Sequence, residues 1–138
     1  MSEGLEKRGH ELRPSTAQVI PNLPPEGLRM SELGMRLRLT AQRAGQLVSE
    51  LEELGYLERV PDPDDGRARR VVFAARGRRL VRDIDEITQT ITADFSAAIG
   101  ARRFDQLCAL LEDLDVAMHG EDAPLRVVAR AREGDGEG

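Results

Sequence analysis

Arginine side chains concentrate in one part of this 138-residue chain. Between Arg67 and Arg82 there are seven arginines and no acidic residue. Guanidinium groups bind phosphate oxygens and guanine edges, and a local cluster of them matters more for binding than net charge does. The cluster therefore indicates contact with a nucleic acid, although charges of this kind also serve simply to solvate an exposed face. The seven are Arg67, Arg69, Arg70, Arg76, Arg78, Arg79 and Arg82.

A second group of side chains, between residues 36 and 46, could contact base edges. Thr40 is placed to cap a helix, whose apolar residues recur at spacings of three and four. On the opposite face, Arg43 suits a guanine edge, and Gln42 and Gln46 suit an adenine edge. The buried stripe is predicted as Ala44, Leu47, Val48, Leu51 and Leu54. The candidate nucleic-acid contacts are Arg36, Arg38, Thr40, Gln42, Arg43 and Gln46. An ordinary solvated helix explains the same residues, so this segment alone leaves both interpretations open.

Helices and a hairpin must position these groups. The pattern predicts a short helix over about 15–23, a helix over 28–37, and a longer one from Thr40 to about Leu54. Strand-like runs at 56–60 and 69–74 flank a turn rich in proline, aspartate and glycine. A β-hairpin with an arginine-bearing tip follows from this arrangement.

Two amphipathic helices are predicted after the hairpin, from Gly77 onward and after Gly100. Their apolar faces are larger than a small domain could cover, so we expect a second copy of the chain to cover them. The predicted interface residues are Ile84, Ile87, Ile91, Phe104, Leu107, Leu111 and Leu114. We divide the chain into a lead-in over 1–12, a DNA-binding domain over 13–76, dimerisation helices over 77–120 and a disordered tail over 121–138.

The overall composition limits the class of protein. The net charge is −5, but the acids are grouped away from the arginine cluster, so a basic face remains compatible with an acidic chain. We find no apolar run of the roughly 18 residues that a membrane span requires, and no signal-peptide pattern. With Cys108 the single cysteine, no intrachain disulfide can form, and a cytoplasmic protein is expected.

Other chemistry has little support in the sequence. His10 and His119 lie far apart without further metal ligands at suitable spacing, so we expect no metal and no cofactor. Cys108 sits beside Leu107 and Leu111 in a helix and is predicted to be a buried structural thiol instead of a redox sensor. We see no catalytic triad, phosphate-binding glycine loop or carboxylate pair, and we predict that the protein is not an enzyme.

The segment from Leu51 to Arg69 carries a family resemblance. Its residues LEELGYLERVPDPDDGRAR resemble the MarR family of bacterial regulators at the junction of the recognition helix and the wing, with the aspartate-any-arginine element at Asp65-Gly66-Arg67. The resemblance extends over about 12–118. It departs from the family at the start, where a long first helix is usual and only Leu5 to His10 could be its remnant.

The resemblance implies a mainly α winged helix-turn-helix fold with a small β-hairpin wing and C-terminal dimerisation helices. The wing offers Arg67, Arg69 and Arg70, and the resemblance implies that Arg67 is the one that enters the minor groove. We expect Asp65 to pair with that arginine and orient it instead of contacting DNA. The resemblance further implies a pocket for a small aromatic ligand, for which ordinary core packing is the alternative. The pocket residues would be Val19, Ile20, Leu23, Tyr56 and Phe95.

The function expected from residues and resemblance together is that of a homodimeric transcriptional regulator. It would bind a pseudo-palindromic double-stranded DNA operator, act as a repressor and be released by a small ligand. The alternative is a winged-helix protein-interaction module that has lost specific DNA binding. The poor supply of hydroxyl and basic side chains at the start of the recognition helix keeps that alternative open.

Overall fold

The structure, a computed structural model, describes residues 2–120. The chain divides into two compact units, Met1–Asp85 and Glu86–Gly138. The tail predicted over 121–138 lies outside the described residues. The helices and strands are α1 (Ser2–Lys7), α2 (Pro14–Ala17), β1 (Leu28–Arg29), α3 (Met30–Leu37), α4 (Ala41–Glu53), β2 (Leu57–Pro61), β3 (Arg69–Phe73), α5 (Ala75–Ile99) and α6 (Ala101–His119). The mainly helical fold with a hairpin is thus confirmed.

A three-stranded antiparallel sheet forms the wing, in the order β1-β3-β2. The β2–β3 hairpin pairs Leu57 with Phe73 and Arg59 with Val71, as the two strand-like runs predict. The helix predicted from Leu28 is wrong in its first two residues, because Leu28 and Arg29 form β1 against β3. A strand of two residues has no periodicity, so only its partner across the sheet defines it.

The helix predicted over 15–23 is also wrong in extent. The segment forms α2, of four residues, and a separate 3₁₀ turn over Ile20–Asn22. Pro21 lies inside that turn, and a proline has no N–H to continue an α-helix. The break places Val19 and Ile20 in the core instead of along a continuous helix face.

The core of the first unit is built around α4. Its predicted inward residues Leu47, Val48 and Leu51 are at most 1% exposed, whereas Leu54 is 43% exposed and does not belong to the stripe. Leu54 lies outside because it is the C-cap, where the helix ends. The remaining core residues are Val19, Ile20, Leu23, Leu28, Leu33, Tyr56, Leu57, Val71, Phe73 and Leu80.

The first unit extends past the boundary that the sequence suggested at residue 76. Leu80 is fully buried in its core, and Val81 and Ile84 pack against that core. The first turns of α5 therefore complete the winged unit. Ile84, which is also predicted at a dimer interface, is partly buried against this core, because it lies one helical turn beyond Leu80 on the same face.

The second unit comprises the rest of α5 and α6, joined at Gly100, where φ is +89°. The rings of Phe95 and Phe104 approach with centroids 6.4 Å apart. Cys108 is 4% exposed, as predicted, and burial raises the pKa of its thiol. Several large apolar side chains remain exposed on α6: Leu107, Leu110, Leu111, Leu114, Val116 and Met118. None of the helices within 2–120 has the length and apolar character to cross a membrane.

Substitution of two helical glycines tests the packing of α5. A Cβ at Gly77 would lie 2.0 Å from the Tyr56 carbonyl oxygen, whereas a Cβ at Gly45 would meet nothing within 4 Å. We expect Gly77→Ala to destabilise the protein by about 2 kcal/mol or more. Gly45→Ala should stabilise it by about 0.5–1 kcal/mol, because alanine loses less backbone entropy. Thermal unfolding measures both, and equal effects would contradict the close α5 packing.

Candidate nucleic-acid interface

The recognition helix α4 begins with the predicted cap. The Thr40 hydroxyl oxygen accepts a hydrogen bond from the Arg43 backbone N–H at 3.2 Å. With the apolar stripe facing the core, Gln42, Arg43 and Gln46 are exposed. Arg43 Nη1 also donates to Gln46 Oε1 at 3.1 Å, so these two side chains lie side by side on the outer face. The face presents a guanidinium and two amides, groups that can pair with base edges.

Of the two arginines before α4, Arg36 lies in the last turn of α3 and Arg38 is the C-cap of that helix. Arg38 adopts a left-handed conformation with φ 53°, and its side chain is exposed. Arg36 Nη1 donates to the Asn22 carbonyl oxygen at 3.3 Å. Both predicted phosphate contacts are therefore on the surface of the winged unit, although Arg36 already bonds a backbone carbonyl.

Arg59, which the sequence did not indicate as a site residue, joins the hairpin to the recognition helix. Its guanidinium pairs with Glu52 and also donates to the Gly45 carbonyl oxygen at 3.4 Å. These contacts connect β2 to α4. They border a shallow surface hollow of about 600 Å³, lined by Gln42, Gly45, Gln46, Ser49, Glu50, Glu53 and Arg59. A single arginine within a strand gives no sequence signal for such a role.

Asp62, at the start of the wing turn, is the buried acid of the hairpin. Only 2% of the residue is exposed, and its carboxylate accepts hydrogen bonds from Arg29 Nε at 2.8 Å and from the Asp64 backbone N–H at 2.9 Å. Those two bonds, Arg29 first, lower the pKa of Asp62 to about 2. Arg70 lies further away, with Nη2 at 3.5 Å. Neither Asp62 nor Arg29 was among the predicted site residues.

Asp65, predicted to pair with the Arg67 guanidinium, makes a different contact. Its Oδ1 accepts the Arg67 backbone N–H at 3.1 Å. The backbone of the turn closes through Ala68, whose N–H donates to the Asp65 carbonyl oxygen at 3.0 Å. Asp65 therefore shapes the turn, and the Arg67 side chain is exposed at its tip.

The three wing arginines are placed differently. Arg67 and Arg69 are exposed. Arg70 is half-buried, and its Nη1 donates to the Gly27 carbonyl oxygen at 2.9 Å. A nucleic acid could bind the Arg70 guanidinium only by competing with Gly27 and Asp62, whereas the other two are accessible.

The residues predicted to line a ligand pocket are distributed over both units. Four of them, Val19, Ile20, Leu23 and Tyr56, are buried in the core of the first unit. Phe95 belongs to the second unit and is 58% exposed. An apolar hollow of about 400 Å³ lies elsewhere, between the hairpin and the start of α5. Its lining residues are Pro25, Glu58, Val72, Phe73, Arg78, Val81 and Arg82.

His10 belongs to a buried polar network that no pattern in the sequence predicts. Its Nδ1 hydrogen-bonds the Tyr56 hydroxyl at 3.1 Å, and its Nε2 hydrogen-bonds Asp83 at 2.8 Å. Hydrogen bonds from His10 and Arg8 lower the pKa of Asp83. The Arg76 guanidinium lies 4.5 Å from the Tyr56 ring centroid. The lead-in is thus tied to α5 and to the end of the recognition helix. Within 2–120, no group of three or more potential ligands could hold a metal ion.

The predicted interface residues in the second unit differ in exposure. Leu107, Leu111 and Leu114 are 46%, 45% and 56% exposed on α6. Ile87, Ile91 and Phe104 are half-buried.

The ionisation of Asp62 makes stability depend on pH. Its folded pKa of about 2 lies below the roughly 3.9 of an unperturbed aspartate, so its stabilisation is complete above pH 4 and is lost as the pH falls towards 2. We expect Asp62→Asn to lower the Tm at neutral pH, with the difference from wild type narrowing below about pH 4. Asp83 is present in both proteins, so its contribution to the pH dependence does not affect the difference in Tm between them. A difference that stays constant down to pH 2 would contradict this assignment.

Comparison with known proteins gives a match in sequence. A model of the MarR family matches residues 19–68. The HTH-type transcriptional regulator TtmR of Methylorubrum extorquens (strain PA1) is 26% identical over 124 residues, which is 88% of this chain. The chain spans 64% of the length of that relative.

Solved structures give a match in fold. The transcriptional regulator Tm0710 from Thermotoga maritima superimposes with a TM-score of 0.61 at 24% identity, over 84% of this chain and 83% of that one. S. aureus MepR in complex with DNA superimposes with a TM-score of 0.63 at 18% identity, over 85% of this chain and 87% of that one. S. aureus MepR bound to ethidium bromide superimposes with a TM-score of 0.66 at 18% identity, over 85% of this chain and 84% of that one. The chain is thus similar to the MarR family over residues 19–68, and its fold is that of the winged-helix structures on which it superimposes.

Proposed function

We propose that this protein is a transcriptional regulator that binds specific double-stranded DNA. The observation that carries the proposal is the exposed face of α4, where Gln42, Arg43 and Gln46 stand opposite a fully buried apolar stripe. The family match and the name of TtmR support it. MepR, which has the same fold, has been solved in complex with DNA.

The recognition helix supplies base contacts in the major groove. Its N-terminal end enters the groove, where Arg43 bonds a guanine and Gln42 or Gln46 bonds an adenine. On binding, Arg43 exchanges its bond to Gln46 for one to the base. The backbone N–H groups at the start of α4, beside Thr40, bind a phosphate oxygen. Arg36 and Arg38 bind phosphates at the near edge.

The wing supplies contacts in the neighbouring minor groove. Arg67 projects from the hairpin tip and inserts into the groove, where a narrow A·T-rich sequence concentrates negative potential. Arg69, exposed on β3, binds a flanking phosphate. Arg70 contributes less, because its guanidinium already bonds Gly27 and Asp62.

The active form in this proposal is a homodimer. The exposed leucines of α6, Leu107, Leu110, Leu111 and Leu114, are the surface that a second copy covers. A two-fold dimer presents two recognition helices to half-sites about one helical turn apart, so the operator is a pseudo-palindrome. Repression follows when the dimer occupies a promoter in place of polymerase.

Release by a small aromatic ligand is part of the proposal. MepR bound to ethidium bromide supports a ligand of this class. The predicted pocket residues Val19, Ile20, Leu23 and Tyr56 are packed in the core, so a ligand reaches them only if the core opens.

The second candidate function is a protein-interaction module without specific DNA binding. The observation that favours it is the presence of Glu50 and Glu53 around the hollow beside Gln46. The exposed Glu53 carboxylate repels phosphate and suits a basic protein partner, whereas the charge of Glu50 is offset by Arg13, 2.8 Å away. DNA affinity separates the two functions.

Substitution at the wing tip tests the DNA contacts. We expect wild-type protein to bind DNA from upstream of its own gene tightly, in preference to scrambled DNA, with a steep salt dependence. Arg67→Ala should weaken that binding and reduce the salt slope by about one unit, because one phosphate-region cation is lost. Fluorescence anisotropy at several salt concentrations measures both quantities.

Arg82→Ala is the matched control for Arg67→Ala. It removes the same charge from α5, where Arg82 lines a hollow with Val72 and Phe73 at the base of the hairpin, and it should change affinity less. Equal effects of the two variants would contradict the wing contact. Equal affinity of the wild type for scrambled and upstream DNA would favour the second function.

Substitution on α6 tests the dimer. We expect the wild type to sediment at about twice the chain mass of 15.3 kDa. Leu111→Glu should shift it towards a monomer, because a charge cannot be buried unpaired in an apolar interface. Leu54→Glu, at a leucine of similar exposure in the winged unit, is the control and should remain dimeric. If both variants remained dimers, this face of α6 would be excluded as the dimer interface.

A further inference from the structure

We propose that Asp62 is the positioning residue of the wing, holding Arg67 at the hairpin tip and anchoring the hairpin to β1. This inference rests on the proposed DNA-binding function. In this proposal the Asp62 side chain does not contact the DNA. The carboxylate acts through the turn on one side and through Arg29 and Arg70 on the other.

The first set of contacts orders the turn. Asp62 Oδ1 accepts the backbone N–H groups of Asp64 at 2.9 Å and Asp65 at 3.3 Å. Asp65 in turn accepts the N–H of Arg67 at 3.1 Å. The backbone N–H of Asp62 donates to the Ala68 carbonyl oxygen at 2.9 Å, which closes the loop on its other side. Two successive carboxylates thus determine where the backbone of Arg67 lies.

The second set of contacts anchors the hairpin. Asp62 Oδ2 lies 2.8 Å from Arg29 Nε, on β1, and 3.5 Å from Arg70 Nη2, on β3. Arg70 Nη1 also donates a hydrogen bond to the carbonyl oxygen of Gly27, just before β1. Without these bonds, only the backbone pairing of the two residues of β1 with β3 would connect β1 to the hairpin. The single carboxylate therefore joins β1, β3 and the turn.

The charge of Asp62 gives the proposal a distinctive consequence. An acid in a DNA-facing hairpin repels phosphate, so electrostatics alone predicts that neutralising it tightens binding. Loss of positioning predicts the opposite, because Arg67 must then be ordered when the DNA binds. The sign of the change in affinity separates a positioning role from a purely electrostatic one.

Asp62→Asn and Asp64→Asn form a matched pair for this test. Each removes one negative charge from the same turn, but the Asp64 side chain is exposed and only its backbone N–H takes part in the turn. We expect Asp64→Asn to bind DNA at least as tightly as wild type. Asp62→Asn should bind about tenfold more weakly, within the range of losing one specific contact.

A double-mutant cycle with Arg67→Ala shows whether Asp62 acts through Arg67. If it does, adding Asp62→Asn to Arg67→Ala should cause little further loss of affinity. An equal loss in both backgrounds would indicate a general loss of structure and would overturn the proposal. Thermal unfolding of each variant confirms that the proteins compared are folded at the assay temperature.

Asp62→Ser provides a second variant if Asp62→Asn does not fold. A serine hydroxyl can accept a backbone N–H two residues on, so it keeps part of the turn and loses the ion pair. Its affinity should fall between those of wild type and Arg67→Ala. An affinity equal to that of Asp64→Asn would overturn the proposal.

The outcomes also separate this inference from the proposed function. Wild-type protein that binds no specific DNA would overturn both. Specific binding that Arg67→Ala weakens, but that Asp62→Asn and Asp64→Asn change equally, would overturn the positioning role alone.

Discussion

Burial of the apolar stripe of α4 is the constraint on which the rest of the winged unit depends. Ala44, Leu47, Val48 and Leu51 are at most 1% exposed. Because a helix repeats every 3.6 residues, their burial forces the intervening polar residues to the outside. The hairpin then takes its direction from the same helix through Arg59, which pairs with Glu52. The placement of the candidate DNA contacts is therefore a consequence of core packing.

Many of the arginines that suggest nucleic-acid binding serve the fold instead. Arg76 donates to the carbonyl oxygens of Leu54 and Gly9, and Arg78 donates to that of Phe73. A guanidinium has five N–H donors in a fixed geometry, which suits it to carbonyls left unpaired at the ends of helices and strands. Within the described part of the chain, Arg67 and Arg69 make no ion pair. The clustering of arginines in the sequence thus overstates the number of cations available to DNA.

The N-terminal lead-in shows why part of the structure could not be predicted. His10 is 3% exposed and meets Tyr56 and Asp83, which lie 46 and 73 residues further along the chain. An isolated histidine in a polar segment carries no periodic pattern. Its partners are set by how α5 packs beside the core, and no local preference specifies that arrangement.

The sequence by itself determined the longer helices, the hairpin and the buried face of α4, but not β1 or the break at Pro21. The period of the apolar residues gave α3, α4 and the two long helices, Thr40 marked the start of α4, and the turn between 61 and 66 marked the hairpin. Only the tertiary structure decided which polar side chains are committed internally. Asp62, Arg29 and Arg70 meet because β1 pairs with β3, and Asp65 bonds a backbone N–H instead of a guanidinium. Contacts between distant segments depend on strand pairing and burial, which a local pattern does not encode.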